Sequence, residues 1–291
     1  MTAPLRDMQD APEWAQLGVV PGAALRAFGM RRSGNHAIAD WIMRNAPAGH
    51  SVFLNNCKPG KSPLDSFATI EVDGKKQAAR RARAHLPGET ARLGDGALLL
   101  VSYEDLSPAD FGPKRQISGE FDSGLFACDV LIYRSFLNWA ASLIKKLQGN
   151  PGYGAMRRVA IMLNTADRYA RMLELVGQAP GNGMVPICYD RWFVDGAYRE
   201  DVLGQLGLPV KENAIGDVQS YGGGSSFQKD AAAPEELQTG ERWRQMADDA
   251  DFRAFLGIAA REVDLMAQVE AHFPEDAARL SDVLVTSVSE G

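Results

Sequence analysis

Apolar residues in this chain gather in short continuous runs, and longer stretches of helical spacing lie between them. The runs Ala23 to Met30, Ser51 to Asn55, Ala97 to Tyr103, Cys128 to Tyr133 and Met184 to Tyr189 predict strands. Ala-Leu-Leu-Leu-Val-Ser-Tyr from Ala97 does not alternate with polar residues, as expected of a strand covered on both faces of a parallel sheet. Helical spacing predicts helices over Asn35 to Met43, Phe136 to Leu147 and Val159 to Gly177. Lys75 to His85 is rich in alanine and arginine and predicts another. Pro234 to Phe273 reads as helical throughout, and the pattern weakens beyond Arg279. The glycine-rich segments Gly149 to Gly154 and Ser220 to Ser226 read as loops.

Strands alternating with helices predict an α/β fold, a central parallel β-sheet flanked by helices. No repeat or linker divides the chain. Residues 1–291 read as a single domain, with a core over about 23–230 and a helical C-terminal extension over about 234–273.

Bulk properties narrow the partners. With 45% apolar and 23% charged residues the composition is that of a globular protein, and a net charge of -6 argues against a general nucleic-acid binder. The acidity is local: from Ala231 onward thirteen acidic residues face five basic ones, so a basic site upstream is compatible with it. Cys57, Cys128 and Cys188 are far apart and odd in number, which suits reduced thiols, and the four histidines are too scattered for a structural zinc site. Met1 to Trp14 lacks a secretory pattern, and the apolar stretch Val130 to Ile144 is interrupted by Arg134 and Asn138 and too short to span a bilayer. The expectation is a cytoplasmic protein with no membrane span.

The first chemical signal lies where the first strand meets the first helix. Gly29-Met-Arg-Arg-Ser-Gly-Asn-His36 has glycines at the first and sixth positions, the outline of a phosphate-binding loop. Asn35 and His36 occupy the places of the lysine and Ser/Thr that hold ATP with magnesium. Backbone N–H groups, the helix dipole and Arg31 or Arg32 can still hold an anion, with Ser33, Gly34, Asn35 and His36 adding donors or close approach. An ordinary strand-to-helix turn with two solvated arginines has the same outline. The second signal is Arg134, at the carboxyl end of a predicted strand, where open α/β sheets bind ligands. Ser142 follows eight residues later, about two helical turns on and on the same side. A structural Arg and a tolerated helical Ser would look the same singly.

Together the two signals resemble the sulfotransferases that use 3'-phosphoadenosine 5'-phosphosulfate (PAPS). Arg32-Ser33-Gly34-Asn35-His36 stands where that family has Lys-Ser-Gly-Thr-Thr around the 5'-phosphosulfate. Arg134 and Ser142 repeat the spacing of its Arg and Ser on the 3'-phosphate. Tyr189-Asp-Arg-Trp-Phe-Val-Asp195 with Leu203-Gly-Gln-Leu-Gly-Leu-Pro209 is similar to two later landmarks. Gly222-Gly-Gly-Ser-Ser-Phe227 stands where the family has a glycine loop over the 3'-phosphate. The resemblance covers about residues 23–230. It implies a P-loop-like sulfotransferase fold, PAPS as co-substrate without a metal, and a cradle of Arg31, Arg32, Ser33, Gly34, Asn35, His36, Arg134, Ser142, Gly223, Gly224, Ser225 and Ser226. The chain departs from the family at Arg32, which replaces the lysine, at Ala37, where an adenine-stacking aromatic is common, and at Phe136, which replaces a proline.

The resemblance leaves the base and the acceptor open. Glu104, at the end of the predicted strand Leu98 to Tyr103, is the expected base and His36 the second candidate; Glu104-Asp105 also suits a turn cap. Lys75, Lys76, Arg80, Arg81 and Arg83 would attract an anionic acceptor or form a solvated helix face. Trp139, Tyr153 and Lys145 would line an acceptor pocket, or Trp139 would be core and Tyr153 loop packing. A small-molecule, glycan, lipid or peptide acceptor stays open. So do a degenerate phosphate-loop nucleotide kinase and a non-catalytic nucleotide-binding protein that keeps the fold.

Overall fold

The computed structural model describes residues 13–78, 86–110, 116–122, 124–216, 227 and 239–289. Its centre is a sheet of β1 (Ala23–Gly29), β2 (Ser51–Asn55), β3 (Thr69–Val72), β4 (Lys75–Ala78), β5 (Leu98–Glu104), β6 (Cys128–Tyr133) and β7 (Met184–Cys188). The order is β4-β3-β2-β5-β1-β6-β7. From β2 to β7 every neighbouring pair is parallel; β3 and β4 add an antiparallel edge.

The apolar runs are strands because both faces of the sheet are covered. In β5, Leu98 and Leu100 enter one core while Leu99, Val101 and Tyr103 enter the other. Leu25 and Ala27 of β1 follow the first pair, Ala24 and Phe28 the second. This period of two sends successive side chains to opposite faces. Helix α1 (Asn35–Arg44) covers one face with Ile38, Ala39, Trp41 and Ile42, and Trp41 meets Trp192 edge-on at 5.9 Å. After the helical turn α2 (Pro63–Ser66) and the helical residues 86–90 (α3), the chain returns to the sheet. A third core joins α4 (Phe136–Gln148) and α5 (Ala155–Gln178) to helices from the end of the chain, with the rings of Trp139 and Tyr169 stacked at 4.6 Å.

Two expectations need correction. Lys75 to His85 is not a helix where it is described: Lys75–Ala78 is strand β4, paired with β3. Asp73 and Gly74 adopt φ of 48° and 71°, the left-handed pair of a two-residue hairpin, and this turn pairs Lys75–Ala78 with β3 against the helical preference of their own sequence. Residues 79–85 lie outside the described set. The C-terminal part is not one continuous helix either. Its described residues form the short turn Arg244–Met246, then α8 (Ala250–Ala259), α9 (Val263–His272) and α10 (Pro274–Ser289). Asp249 caps α8, its carboxylate accepting from Phe252 N at 3.0 Å, and Pro274 suits the first turn of α10. Helix α10 continues to Ser289, through the tail where the pattern is weak. No helix among the described residues is long and apolar enough to cross a membrane.

The topology marks a crevice. After β1 the chain passes through α1 to β2 on one side of it. After β6 it passes through α4 and α5 to β7 on the other. The adjacent strands β1 and β6 thus send their connections apart, and ligands of open α/β sheets bind at the carboxyl ends of such strands.

Candidate functional site

The loop after β1 fills one side of this crevice. Ser33 N donates to Met30 O at 3.1 Å, closing a turn, and Arg32 sits at φ 72°, which is uncommon for a residue with a side chain. Gly34, at φ 91°, lies under Tyr189: a Cβ there would come within 2.0 Å of the ring. Gly29 lacks room for a different reason. Asn35 folds back over it, its Nδ2 donating to Met30 O at 3.2 Å, and a Cβ on Gly29 would stand 2.2 Å from Asn35 Oδ1. No side chain caps the start of α1. Ser33 Oγ and Asn35 Oδ1 are buried without a hydrogen-bond partner among the described residues. An uncapped helix start beside unsatisfied polar atoms is a place for an anion.

Arg134 closes the other side. It follows β6 directly, is 1% exposed, and reaches both signals found in the sequence: Nη1 donates to Arg32 O at 3.4 Å and to Ser142 Oγ at 3.5 Å. Nη2 donates to Thr239 O, Nε stands 3.7 Å from Asp190 Oδ1, and the guanidinium lies 4.9 Å over the Tyr189 ring. Tyr189 and Asp190 open α6 (Tyr189–Val194), which α7 (Gly196–Gln205) follows, so the Tyr189 landmark reaches the same place.

The structure adds a residue that sequence reasoning missed. Arg242 is buried, donates Nη1 to Ser142 Oγ at 3.0 Å, and has no hydrogen-bond partner for Nε among the described residues. Burial, and then the charge of Arg134, push its guanidinium down to about 9. The same two causes, in the same order, lower Arg32. Arg32 and Arg242 therefore lie beside Arg134 under conditions that disfavour their own charges, which an anion would relieve. No spacing rule links residue 242 to residue 142, and the acidic composition around Arg242 conceals it.

Glu104 borders this cradle. It ends β5, and its carboxyl is pushed up from the ordinary value by burial and then by Asp105. Arg31, a hydrogen bond with Asn35, and Arg32 pull the other way. His36 is pushed down to about 4 by burial, with Lys76 and Arg32 adding to it, so its imidazole is neutral at pH 7. Arg31, expected among the ligands, is committed elsewhere: its guanidinium pairs with Asp105, whose Oδ1 also accepts from Arg31 N at 2.8 Å.

The other expected residues divide. Trp139 belongs to the core, with Nε1 donating to Arg31 O at 3.1 Å, so it supports the loop from behind. Lys145 is exposed in the last turn of α4, and Tyr153 carries the Arg157 guanidinium 4.4 Å from its ring. Phe136 is core, against Tyr169 at 5.3 Å. Lys75 and Lys76 lie on β4 and not on a helix face. Gly223, Gly224, Ser225 and Ser226 lie outside the described residues, as do Arg80, Arg81 and Arg83. Among the described residues no group of three or more His, Cys, Asp or Glu is placed to hold a metal. Family models, curated proteins and solved structures offer no match to this chain.

Proposed function

We propose that the protein is a sulfotransferase, moving the sulfonyl group of PAPS to an acceptor hydroxyl or amine. One observation carries this reading. Two groups suited to anions adjoin each other, the uncapped start of α1 with its loop and the Arg134–Ser142–Arg242 group, and the bond from Arg134 Nη1 to Arg32 O links them. A nucleoside bearing one phosphate group on its 5' side and another on its 3' side has the charge pattern for both.

In this reading the loop N–H groups, Ser33, Asn35 and Arg32 hold the 5'-phosphosulfate, and Arg134, Ser142 and Arg242 hold the 3'-phosphate. Arg32 neutralises charge on the leaving phosphate, the role of preorganised donors in such transfers. Glu104, next to Asn35 and Arg32, takes the acceptor proton. The acceptor oxygen forms a bond to sulfur as the S–O bond to the 5'-phosphate breaks. The products are a sulfate ester and 3'-phosphoadenosine 5'-phosphate. Of the two candidate bases Glu104 is favoured, because its carboxyl is raised while the His36 imidazole is held near 4.

Calorimetric titration with 3'-phosphoadenosine 5'-phosphate is the direct test. The expected result is binding in about the micromolar range, weakened at least about tenfold in Arg134→Ala. Absence of binding, or binding indifferent to Arg134, overturns the reading.

A further inference from the structure

Beside the cradle a cavity of about 500 Å³ opens at the carboxyl ends of β2 and β5. Glu104 lies in its wall and is also the carboxylate next to Asn35 and Arg32. One group therefore faces both compartments, the position required of a base acting between a bound donor and an acceptor.

The segment after β2 that lines this cavity is built, not loose. Asn56 N donates to Ser102 Oγ at 3.0 Å and Cys57 N to Ser102 O at 2.8 Å, fixing the segment after β2 to β5. Lys58 N donates to Ser66 Oγ at 3.2 Å, which holds the Lys58 backbone. The Lys58 ammonium has no hydrogen bond or ion pair among the described residues. Arg168, from α5, lines the same cavity and is anchored by Nη1 donating to Asp105 O at 2.9 Å. Charges in the wall are uneven. Arg31 and Asp105 pair with each other, leaving Lys58 and Arg168 against Glu104. Phe67 and Ala68 supply an apolar side.

We propose that this cavity takes the acceptor, and that the acceptor is an anion: a hydroxyl compound also carrying a group such as a carboxylate, recognised by Lys58 and Arg168. The proposal rests on the sulfotransferase reading and adds the substrate class to it. The acceptor hydroxyl forms the new O–S bond, the S–O bond to the 5'-phosphate breaks with its electron pair on that phosphate, and the hydroxyl proton passes to Glu104. The anionic group stays at Lys58 and Arg168, away from the reacting oxygen.

The experiment measures binding of lactate, glucuronate and 4-hydroxybenzoate, each beside its methyl ester, to the full chain and to Lys58→Gln and Lys58→Glu. Titration with 3'-phosphoadenosine 5'-phosphate runs in parallel. At least one acid should bind about tenfold more tightly than its own ester, with the preference reduced in Lys58→Gln and lost in Lys58→Glu. Nucleotide binding should be the same in all three proteins, which also shows that the variants are folded. If no acid outcompetes its ester, or the preference survives Lys58→Glu, the anionic acceptor is overturned while nucleotide binding still supports the transferase. If the acid preference follows Lys58 but the nucleotide does not bind, the anion site stands and the transferase reading falls.

Discussion

Arg242 donates to the hydroxyl of Ser142 at 3.0 Å across a hundred residues of chain. Arg134 approaches the same oxygen at 3.5 Å. The hydroxyl also donates to Asn138 O at 2.7 Å, so the serine orients both guanidinium groups without neutralising either.

This arrangement separates binding from stability. Arg242→Met should weaken binding of 3'-phosphoadenosine 5'-phosphate by about 10- to 100-fold, the loss expected of a charge-assisted hydrogen bond. The unliganded variant should melt no lower than the parent, because the substitution removes a buried charge crowded by Arg134 and Arg32. Calorimetry and thermal unfolding on the same samples check both halves.

Gly34 is a packing constraint as well as a conformational one. With a Cβ 2.0 Å from the Tyr189 ring and φ at 91°, Gly34→Ala should cost at least about 2 kcal/mol of stability. Denaturant unfolding measures it. Adding Tyr189→Leu should recover part of the loss, since the clash is relieved and the backbone strain is not.

For Glu104 the sign with pH is fixed by the direction of its shift. The carboxylate is the active form of a base, and burial raises its proton affinity. Transfer should therefore rise with pH through one ionisation above the ordinary carboxylate range. Glu104→Gln should lower kcat by about 10²- to 10⁴-fold and abolish that limb of the profile. His36→Gln should leave the limb in place.

Asp276 of α10 accepts from Ser135 Oγ at 2.8 Å and from Leu137 N at 3.1 Å, joining the C-terminal helix to the start of α4. Burial raises its carboxyl from the ordinary value, so folding favours the protonated form and the charge becomes a cost as pH rises through the folded-state pKa. Asp276→Asn keeps both acceptor contacts without that charge and should be neutral or stabilising at pH 7. Asp276→Ala should cost about 1–3 kcal/mol by leaving the Leu137 N–H unsatisfied. Urea unfolding of the two variants separates them.

What the sequence makes legible here is what local physics determines. The run from Leu98 to Tyr103 is a strand buried on both faces, and the eight-residue step from Arg134 to Ser142 does bring the two side chains together. Lys75–Ala78 misleads because a two-residue turn at Asp73 and Gly74 decides its state, and alanine content does not report it. Arg31 and Arg32 are neighbours in different settings. Asp105, brought beside the loop by the pairing of β5 with β1, captures Arg31, and no local pattern shows that pairing. Arg242 is hidden for the same reason.

Thr239 O, Arg242 and Asp276 all contact Arg134 or its helix, and all lie in the last fifth of the chain. During synthesis the loop, β5 and β6 emerge long before these partners do. The contacts that hold Arg134 and the start of its helix can therefore close only after the residues up to Asp276 have been made, which makes this cluster a late product of folding.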